Sequence, residues 1–239
     1  MFVNVITMAG LGSRFRKVGY NVPKFMIEAK GKTLFEWSME SLKNFRGDDV
    51  KYIFISRKED NAKDFISDKC DSLGIKNYEV KELEFNTSGQ AETAYLAVKD
   101  LKEDDEVNIY NIDTYIHPEF LKREDLKGDG CIPCFNAPGD HWSFAKTDDN
   151  GKVVEVREKV KISDNASLGV YYFKSAKLYD DIYNSFYSDE SNMEKGERYI
   201  APMYNEMIKQ GKNITITQVP YDGVDVLGTP DELKAFIEK

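Results

Sequence analysis

The sequence contains 239 residues, of which 41% are apolar and 31% are charged, and its net charge is −9. This length and composition are typical of a globular protein with one α/β domain or two small ones. The excess of negative charge disfavours nonspecific binding to DNA or RNA, which depends on a basic surface. No apolar stretch approaches the roughly 18 residues that a membrane-spanning helix needs.

The N-terminal segment and the cysteines indicate the cellular compartment. The opening residues, "MFVNVITMAG", lack the basic start and the long apolar run of a signal peptide. The three cysteines are an odd number, which argues against a disulfide framework. We therefore expect a cytoplasmic protein with reduced thiols.

Strand and helix patterns alternate through the first half of the chain. Apolar and β-branched runs predict strands at 3–7, 51–56, 78–83 and 106–113. Helical spacing of apolar residues predicts helices at 33–45, 60–73 and 89–101. Thr33 is expected to cap the first of these helices. Strands that alternate with helices imply βαβ units and a parallel sheet.

The second half has more strands and a more mixed character. The pattern predicts strands at 129–137, 142–148, 152–159, 166–174 and 213–219. It predicts helices at 175–187, 197–211 and 229–239, the last capped by Thr229. Cys131 and Cys134 have CxxC spacing, but a second ligand pair for zinc is missing, so a buried strand is preferred. We expect one α/β domain over residues 1–239.

The loop after the first strand, "MAGLGSRFRKVGYNVPKF", concentrates glycine and positive charge. In a parallel sheet, ligands bind beyond the carboxyl ends of the strands. Gly10 and Gly12 would let backbone amides approach an anion, Ser13 adds a hydroxyl, and Arg14 adds a forked charge. Lys24 supplies a second cation at the far end of the loop. We predict a phosphate cradle, with a plain glycine turn as the alternative; neither a Walker loop nor a dinucleotide fingerprint matches.

The segment "GLGSRF…PKFMIEAKGKTLFEWSMESL" resembles the G-x-G-[ST]-R…P-K signature of nucleotidyltransferases that make activated sugars and alcohols. Similar motifs follow in the family's order as "SGQAETAYLA", "YNID", "VVEVREKVKISDNASLGVYYF" and "VLGTPDEL". The resemblance is nearest to small cytidylyltransferases of capsule and cell-surface biosynthesis. It implies a Rossmann-like three-layer α/β/α fold with a mostly parallel, mixed central sheet. Residues about 1–115 would bind nucleotide and about 116–239 the acceptor.

The resemblance also implies a reaction. A nucleotidyl group, with CMP from CTP favoured, would pass to a phosphorylated small molecule with release of pyrophosphate and with Mg²⁺ as cofactor. The acceptor would be a polyol, amino-alcohol or amino-acid phosphate, or a sugar 1-phosphate, with no nucleic acid or membrane as partner. The protein would be a monomer or a homodimer. Two alternatives are a glycosyltransferase, disfavoured because Asn111 replaces the first aspartate of D-x-D before Asp113, and a non-catalytic nucleotide-binding homologue.

The resemblance assigns roles to individual positions of this sequence. The implied catalytic residues are Arg14 for pyrophosphate, Lys24 for the α-phosphate and Lys159 for the acceptor phosphate. The implied nucleotide-binding residues are Ala9, Gly10, Gly12, Ser13, Ser88, Gly89 and Gln90. The implied acceptor-binding residues are Glu158, Lys159 and Gly169. Apart from the resemblance, Trp142 lies in a turn-rich region where it would cover the acceptor or pack in the core, and Glu197 and Tyr199 are further acceptor candidates. The implied metal ligands are Asp113 and Asp225, although Asp225 lies three residues before Gly228 where the family has two.

Overall fold

The computed structural model describes all 239 residues and is organised around a ten-stranded sheet. The strands are β1 (Phe2–Thr7), β2 (Glu28–Ala29), β3 (Lys32–Thr33), β4 (Val50–Arg57), β5 (Tyr78–Leu83), β6 (Glu106–Asn111), β7 (Thr114–Ile116), β8 (Gly130–Phe135), β9 (Ser143–Thr147), β10 (Val153–Glu158), β11 (Ala166–Ser167), β12 (Val170–Phe173), β13 (Ile214–Gln218) and β14 (Val224–Val226). The α-helices are α1 (Ser13–Lys17), α2 (Leu34–Ser41), α3 (Lys63–Leu73), α4 (Gln90–Val98), α5 (Ala176–Phe186), α6 (Tyr204–Lys209) and α7 (Pro230–Glu238).

The sheet is parallel in one half and mixed in the other, as the sequence predicts. Strands β5, β4, β1 and β6 lie side by side in that order and run parallel. Strand β12 pairs antiparallel with β6, and β8 then pairs antiparallel with β11 and β12 but parallel with β13. Thr7 at the end of β1 lies opposite Asn111 at the end of β6. Loops from both strands therefore leave the sheet at one edge.

Helices cover both faces of the sheet and complete a three-layer α/β/α fold. Side chains alternate along β1, so Phe2 and Ile6 enter one apolar core while Val3 and Val5 enter the other. Helices α2 and α3 contribute to the first core, and α4, α5 and α6 contribute to the second. The expected fold is thus confirmed. None of the seven α-helices combines the length and the apolar composition that spanning a lipid bilayer requires.

A third, smaller core joins the start of the chain to its end. Its buried members are Phe15, Ile27, Ala29, Leu34, Leu227, Leu233 and Phe236. They come from α1, α2, α7 and the segments beside them. The ring of Phe236 also packs edge-on against Trp37, whose indole N–H donates to the Ala29 carbonyl at 2.9 Å. This core fixes the first loop relative to the turn before α7.

Most local predictions are confirmed, and the exceptions have physical causes. Thr33 and Thr229 cap α2 and α7, and the CxxC segment is a fully buried strand. The helix predicted over 197–211 begins only at Tyr204, after a 3₁₀ turn. The segment before it is held instead by Arg198, whose backbone N–H donates to Ser88 and whose carbonyl accepts from Ala91.

Short elements account for the remaining differences. The strand predicted over 166–174 is interrupted at Gly169, where φ is +73°. The pattern does not predict helix α1 or strands β2, β3, β7 and β14, because two to five residues carry too little periodicity.

Phe236→Ala should destabilise the protein by about 3–5 kcal/mol, because it empties a buried aromatic site in the third core. Phe236 is 5% exposed, whereas its neighbour Ile237 is 48% exposed on the same helix. Ile237→Ala is therefore a matched control and should change the stability by no more than about 0.5 kcal/mol. Urea unfolding of the three proteins measures the difference, and equal losses in both variants would contradict the packing role of this core.

Candidate active site

The first loop presents its backbone and charges to solvent, while the buried aromatic side chains of Phe15 and Phe25 anchor it. Gly12 has φ +62° and precedes α1, and a Cβ built on it would lie 3.7 Å from Lys24 Cβ. Phe15 is buried in the third core, while Ser13 and Arg14 are exposed. Arg14 makes no ion pair with the protein, so its guanidinium is free to bind an external anion.

Lys24 reaches across from the first loop to the end of the sheet. Its Nζ donates to Asp113 Oδ2 at 2.7 Å, although the two residues are 89 positions apart. Both side chains are partly exposed, at 20% and 28%. Asp113 also lies against the closing turn, where the Leu227 N–H donates to its carbonyl at 2.8 Å. Two residues that the sequence assigns to phosphate and metal binding are thus brought into direct contact.

Gln90 connects the ends of the neighbouring parallel strands β1 and β6. Its Nε2 donates to Thr7 Oγ1 at 3.1 Å and also to Asn111 Oδ1. Both amide hydrogens are therefore used within the protein, while the carbonyl oxygen Oε1 remains available as an acceptor. Sequence reasoning predicts Gln90 in the site but does not identify Thr7 or Asn111, whose position follows from strand register.

Ser88 and Gly89 form a tight junction with the segment before α6. A Cβ on Gly89 would lie 2.5 Å from the Arg198 carbonyl oxygen, and the φ of Gly89 is +143°. The Arg198 N–H donates to the Ser88 carbonyl at 2.7 Å. Glycine at this position is therefore required by close backbone packing, and its predicted contact with a nucleotide base stays a prediction.

Glu158 is the last residue of strand β10, and Lys159 follows it. Lys159 has φ +53°, and its Nζ donates to the Tyr199 hydroxyl at 2.8 Å and lies 3.5 Å from Glu158 Oε1. Glu158 is 7% exposed and accepts a hydrogen bond from Ser143. The structure thus brings together the predicted Glu–Lys pair and Tyr199. Trp142 packs against Phe135, which agrees with the core alternative.

Burial and charge adjust the titration of this group. Burial raises the pKa of Glu158 above its usual 4.5, while the Ser143 hydrogen bond and the Lys159 charge oppose the rise. Burial alone would lower the pKa of Lys159, but its contacts with Tyr199 and Glu158 raise it above 10.5. Burial and the Glu158 charge also raise the pKa of Glu194. This end of the site therefore combines the carboxylates of Glu158 and Glu194 with the cations Lys159, Arg157 and Lys195.

Gly169 is needed for packing between strands. Its φ is +73°, and a Cβ there would lie 2.5 Å from Asn111 Nδ2. The Gly169 carbonyl accepts from the Asn111 N–H at 3.0 Å. The contact with Asn111 accounts for glycine here, and direct contact with an acceptor stays a prediction.

Asp225 is engaged by other side chains of the protein. It is 6% exposed, its Oδ2 lies 3.1 Å from His117 Nε2, and its Oδ1 pairs with the Lys239 ammonium. No sequence signal singles out His117, because its partner lies 108 positions away. No group of three or more His, Cys, Asp and Glu side chains is arranged to hold a metal ion. The metal-binding role of Asp225 stays a prediction.

An open cleft of about 610 Å³ lies beyond the ends of β4 and β5. Its lining residues are Arg57, Lys58, Glu59, Asn61, Leu83, Glu84, Phe85 and Asn86. None of the residues that the sequence assigns to the site lines this cleft. The contacts at the ends of β1 and β6, rather than the cleft, therefore define the candidate site.

Comparison with known proteins identifies the family. The family model described as nucleotidyl transferase matches residues 3–222. A solved structure of the nucleoside-diphosphate-sugar pyrophosphorylase from Vibrio cholerae RC9 is 36% identical, with a TM-score of 0.90 and full coverage of both chains. The chain therefore belongs to the nucleotidyl transferase family.

Two further relatives are more distant. The bifunctional protein GlmU of Methanocaldococcus jannaschii is 25% identical over 211 residues, which are 87% of this chain and 47% of GlmU. The chain thus spans about half the length of this curated relative. The structure of CTP:phosphocholine cytidylyltransferase (LicC) from Streptococcus pneumoniae is 18% identical, with a TM-score of 0.76 over 99% of this chain and 98% of that one. At this identity the likeness shows the fold alone.

The raised pKa of Glu158 predicts a pH dependence of stability. A carboxyl with a higher pKa in the folded state binds more protons when folded, so the free energy of unfolding falls as pH rises above the unfolded value of 4.5. In the Glu158→Gln variant, this contribution to the decrease in the free energy of unfolding should be absent. Ser143→Ala removes a hydrogen bond that favours the ionised form of Glu158. The free energy of unfolding of this variant should therefore continue to fall to a higher pH. Urea unfolding at a series of pH values tests this, and three identical profiles would contradict it.

Proposed function

We propose that the protein transfers a nucleotidyl group from a nucleoside triphosphate to a phosphorylated small molecule and releases pyrophosphate, with Mg²⁺ as cofactor. The observation that carries the proposal is the contact between Lys24 and Asp113, which joins the glycine-rich loop to the end of β6. Family membership supports the reaction class. We further propose a cytoplasmic role in capsule or surface polysaccharide biosynthesis.

The reaction requires positioning and charge compensation rather than a strong base. An acceptor phosphate oxygen attacks the α-phosphorus, the bond to the bridging oxygen breaks, and pyrophosphate leaves with the electron pair. The nucleophile is already anionic, so no proton has to be removed. Catalysis then depends on bringing two polyanions together and on stabilising charge at the α-phosphate.

The first loop supplies the contacts for the triphosphate in this proposal. Backbone amides from Ala9 to Ser13 face the phosphates, and the free guanidinium of Arg14 holds the departing pyrophosphate. Lys24 exchanges its Asp113 partner for the α-phosphate oxygens. When bound, Mg²⁺ would be held by Asp113 and would neutralise phosphate charge.

The hydrogen bonds of the Gln90 side chain favour one class of nucleotide base. The Gln90 amide donates both hydrogens within the protein, so its Oε1 can only accept. The exocyclic amino group of cytosine is a donor, whereas the corresponding oxygen of uracil or thymine is an acceptor. This supports CTP as the donor substrate, with the base beside Ser88 and Gly89.

The acceptor is placed at the far end of the site. Lys159 would neutralise the acceptor phosphate, and Glu158 would accept hydrogen bonds from hydroxyl or amino groups. The carboxylate of Glu194 nearby supports an acceptor that carries such donors. We therefore favour phosphorylated polyols, amino alcohols and amino acids, together with sugar 1-phosphates.

Both substrates would be bound within one domain over residues 1–239. Residues about 1–115 form the proposed nucleotide half, and about 116–239 form the proposed acceptor half. All residues proposed to contact the two substrates belong to one chain. The proposal is therefore compatible with a monomer and with a homodimer.

Pyrophosphate release tests the proposal directly. CTP, UTP, dTTP, ATP and GTP are each combined with Mg²⁺ and with phosphocholine, glycerol phosphates, phosphoglutamine or sugar 1-phosphates. We expect release with CTP and one acceptor class only. Nucleotide binding without release for every pair would contradict the proposed reaction.

Lys24→Ala should reduce kcat by about 100-fold or more, because its charge acts where negative charge develops in the transition state. The Kd for the nucleotide should change much less. Lys17→Ala is a control, since Lys17 is an exposed cation in the same loop region. Steady-state kinetics and calorimetry separate the two effects. Equal losses in kcat and in nucleotide affinity would refute the assigned role.

A further inference from the structure

The first turn of α7 places the carboxylate of Glu232 over the Gly228 backbone, where the carboxylate of Asp113 also lies. A Cβ built on Gly228 would lie 3.2 Å from Asp113 Oδ2 and 3.5 Å from Glu232 Oε2. Both carboxylates therefore face the same small space over the Gly228 backbone. Asp113 meets Lys24 at the same place, so this space belongs to the candidate site.

The Glu232 carboxylate is not satisfied within the protein. Its Oε2 is buried and has no hydrogen-bond partner. Leaving a charged oxygen buried and unpaired is costly, so such a group is expected to have an external partner. The position of Glu232 thus needs an explanation beyond packing.

Helix α2 shows what the same sequence pattern does when its glutamate has only a structural role. Thr33 and Glu36 form a complete capping box, in which the Glu36 carboxylate accepts from the Thr33 N–H at 2.8 Å. Thr229 and Glu232 have the same spacing at the start of α7. Thr229 accepts from the Glu232 N–H, but the carboxylate of Glu232 does not return to the cap. It lies instead over the Gly228 backbone, in the space that Asp113 Oδ2 also faces.

We infer that Glu232, rather than Asp225, is the second carboxylate that holds the divalent cation with Asp113, an inference that rests on the proposed function. The Asp225 oxygens are engaged by His117 and Lys239, whereas Glu232 Oε2 is free. Mg²⁺ is commonly held by one or two carboxylates together with substrate phosphates, which this arrangement provides.

Lys24 fits the same inference. Its ammonium donates to Asp113 Oδ2 at 2.7 Å, while Glu232 Oε2 stays without a partner. The positive charge of Lys24 therefore neutralises the Asp113 carboxylate but not that of Glu232. A divalent cation at this position would engage both and release Lys24 toward the phosphates.

Binding of Mn²⁺ tests the inference without relying on turnover. Free Mn²⁺ is measured by EPR in titrations of the whole protein, with the metal alone and with CTP in the absence of acceptor. Glu232→Gln should weaken Mn²⁺ binding by about 10-fold or more, as should Asp113→Asn. Asp225→Asn should bind Mn²⁺ within about two-fold of the unaltered protein.

Two further variants control for charge and shape. Asp231→Asn removes one negative charge from the adjacent exposed residue of the same helical turn and should not alter Mn²⁺ binding. Gly228→Ala changes no charge, but its methyl group would fill the space between the carboxylates and should weaken Mn²⁺ binding by about 10-fold. Without metal, the Tm of Glu232→Gln should equal or exceed that of the unaltered protein, whereas a purely structural role predicts a lower Tm.

The outcomes separate this inference from the proposed reaction. Normal Mn²⁺ binding by Glu232→Gln overturns the inference, and so does a loss in Asp225→Asn alone, which would make Asp225 the ligand. Pyrophosphate release by the unaltered protein together with normal Mn²⁺ binding by Glu232→Gln contradicts the role of Glu232 only. A Glu232-dependent Mn²⁺ site without release for any substrate pair supports the inference and contradicts the reaction.

Discussion

The ion pair between Lys24 and Asp113 is the contact on which the candidate site depends. It joins the first loop to the end of β6 across 89 positions of sequence. Asp113 supplies a counter-charge to Lys24, one of the cations of this loop. The same pair can dissociate when phosphates and a metal ion arrive, because each partner then gains a ligand of opposite charge. The resting contact therefore holds both groups in place for the reaction.

The third apolar core explains why this contact can form. Phe15 from the first loop and Leu227 and Leu233 from the closing segment are buried together. The segments that carry Arg14 and Glu232 are consequently held together by the third core. Apolar packing in the third core, rather than electrostatic attraction, then fixes the backbone that carries the charged residues. A site that binds charged groups requires such a preorganised backbone.

The local features could be predicted from the sequence, but the partner of each side chain often could not. Thr33, the first loop and the buried CxxC strand follow from patterns over a few residues. The environment of Asp225 depends on the pairing of β14 with β7, which no short-range pattern encodes. Glu232 has the spacing of an ordinary capping residue, so the sequence does not reveal that its carboxylate lies over Gly228 beside the space that Asp113 faces. The number of residues between Asp225 and Gly228 therefore does not predict that Glu232 and Asp113 face the same space over Gly228.

The two proposed halves of the site are coupled through one short backbone segment. Arg198 donates to Ser88 and accepts from Ala91, and the next residue, Tyr199, accepts a hydrogen bond from Lys159. A displacement of the loop beside the proposed base site would therefore move the partner of the proposed acceptor lysine. Gly89 keeps this junction tight, since any side chain there would meet the Arg198 carbonyl. The junction consists of hydrogen bonds between backbone groups. The alignment of the two substrates would therefore depend on the fold as well as on the side chains that contact them.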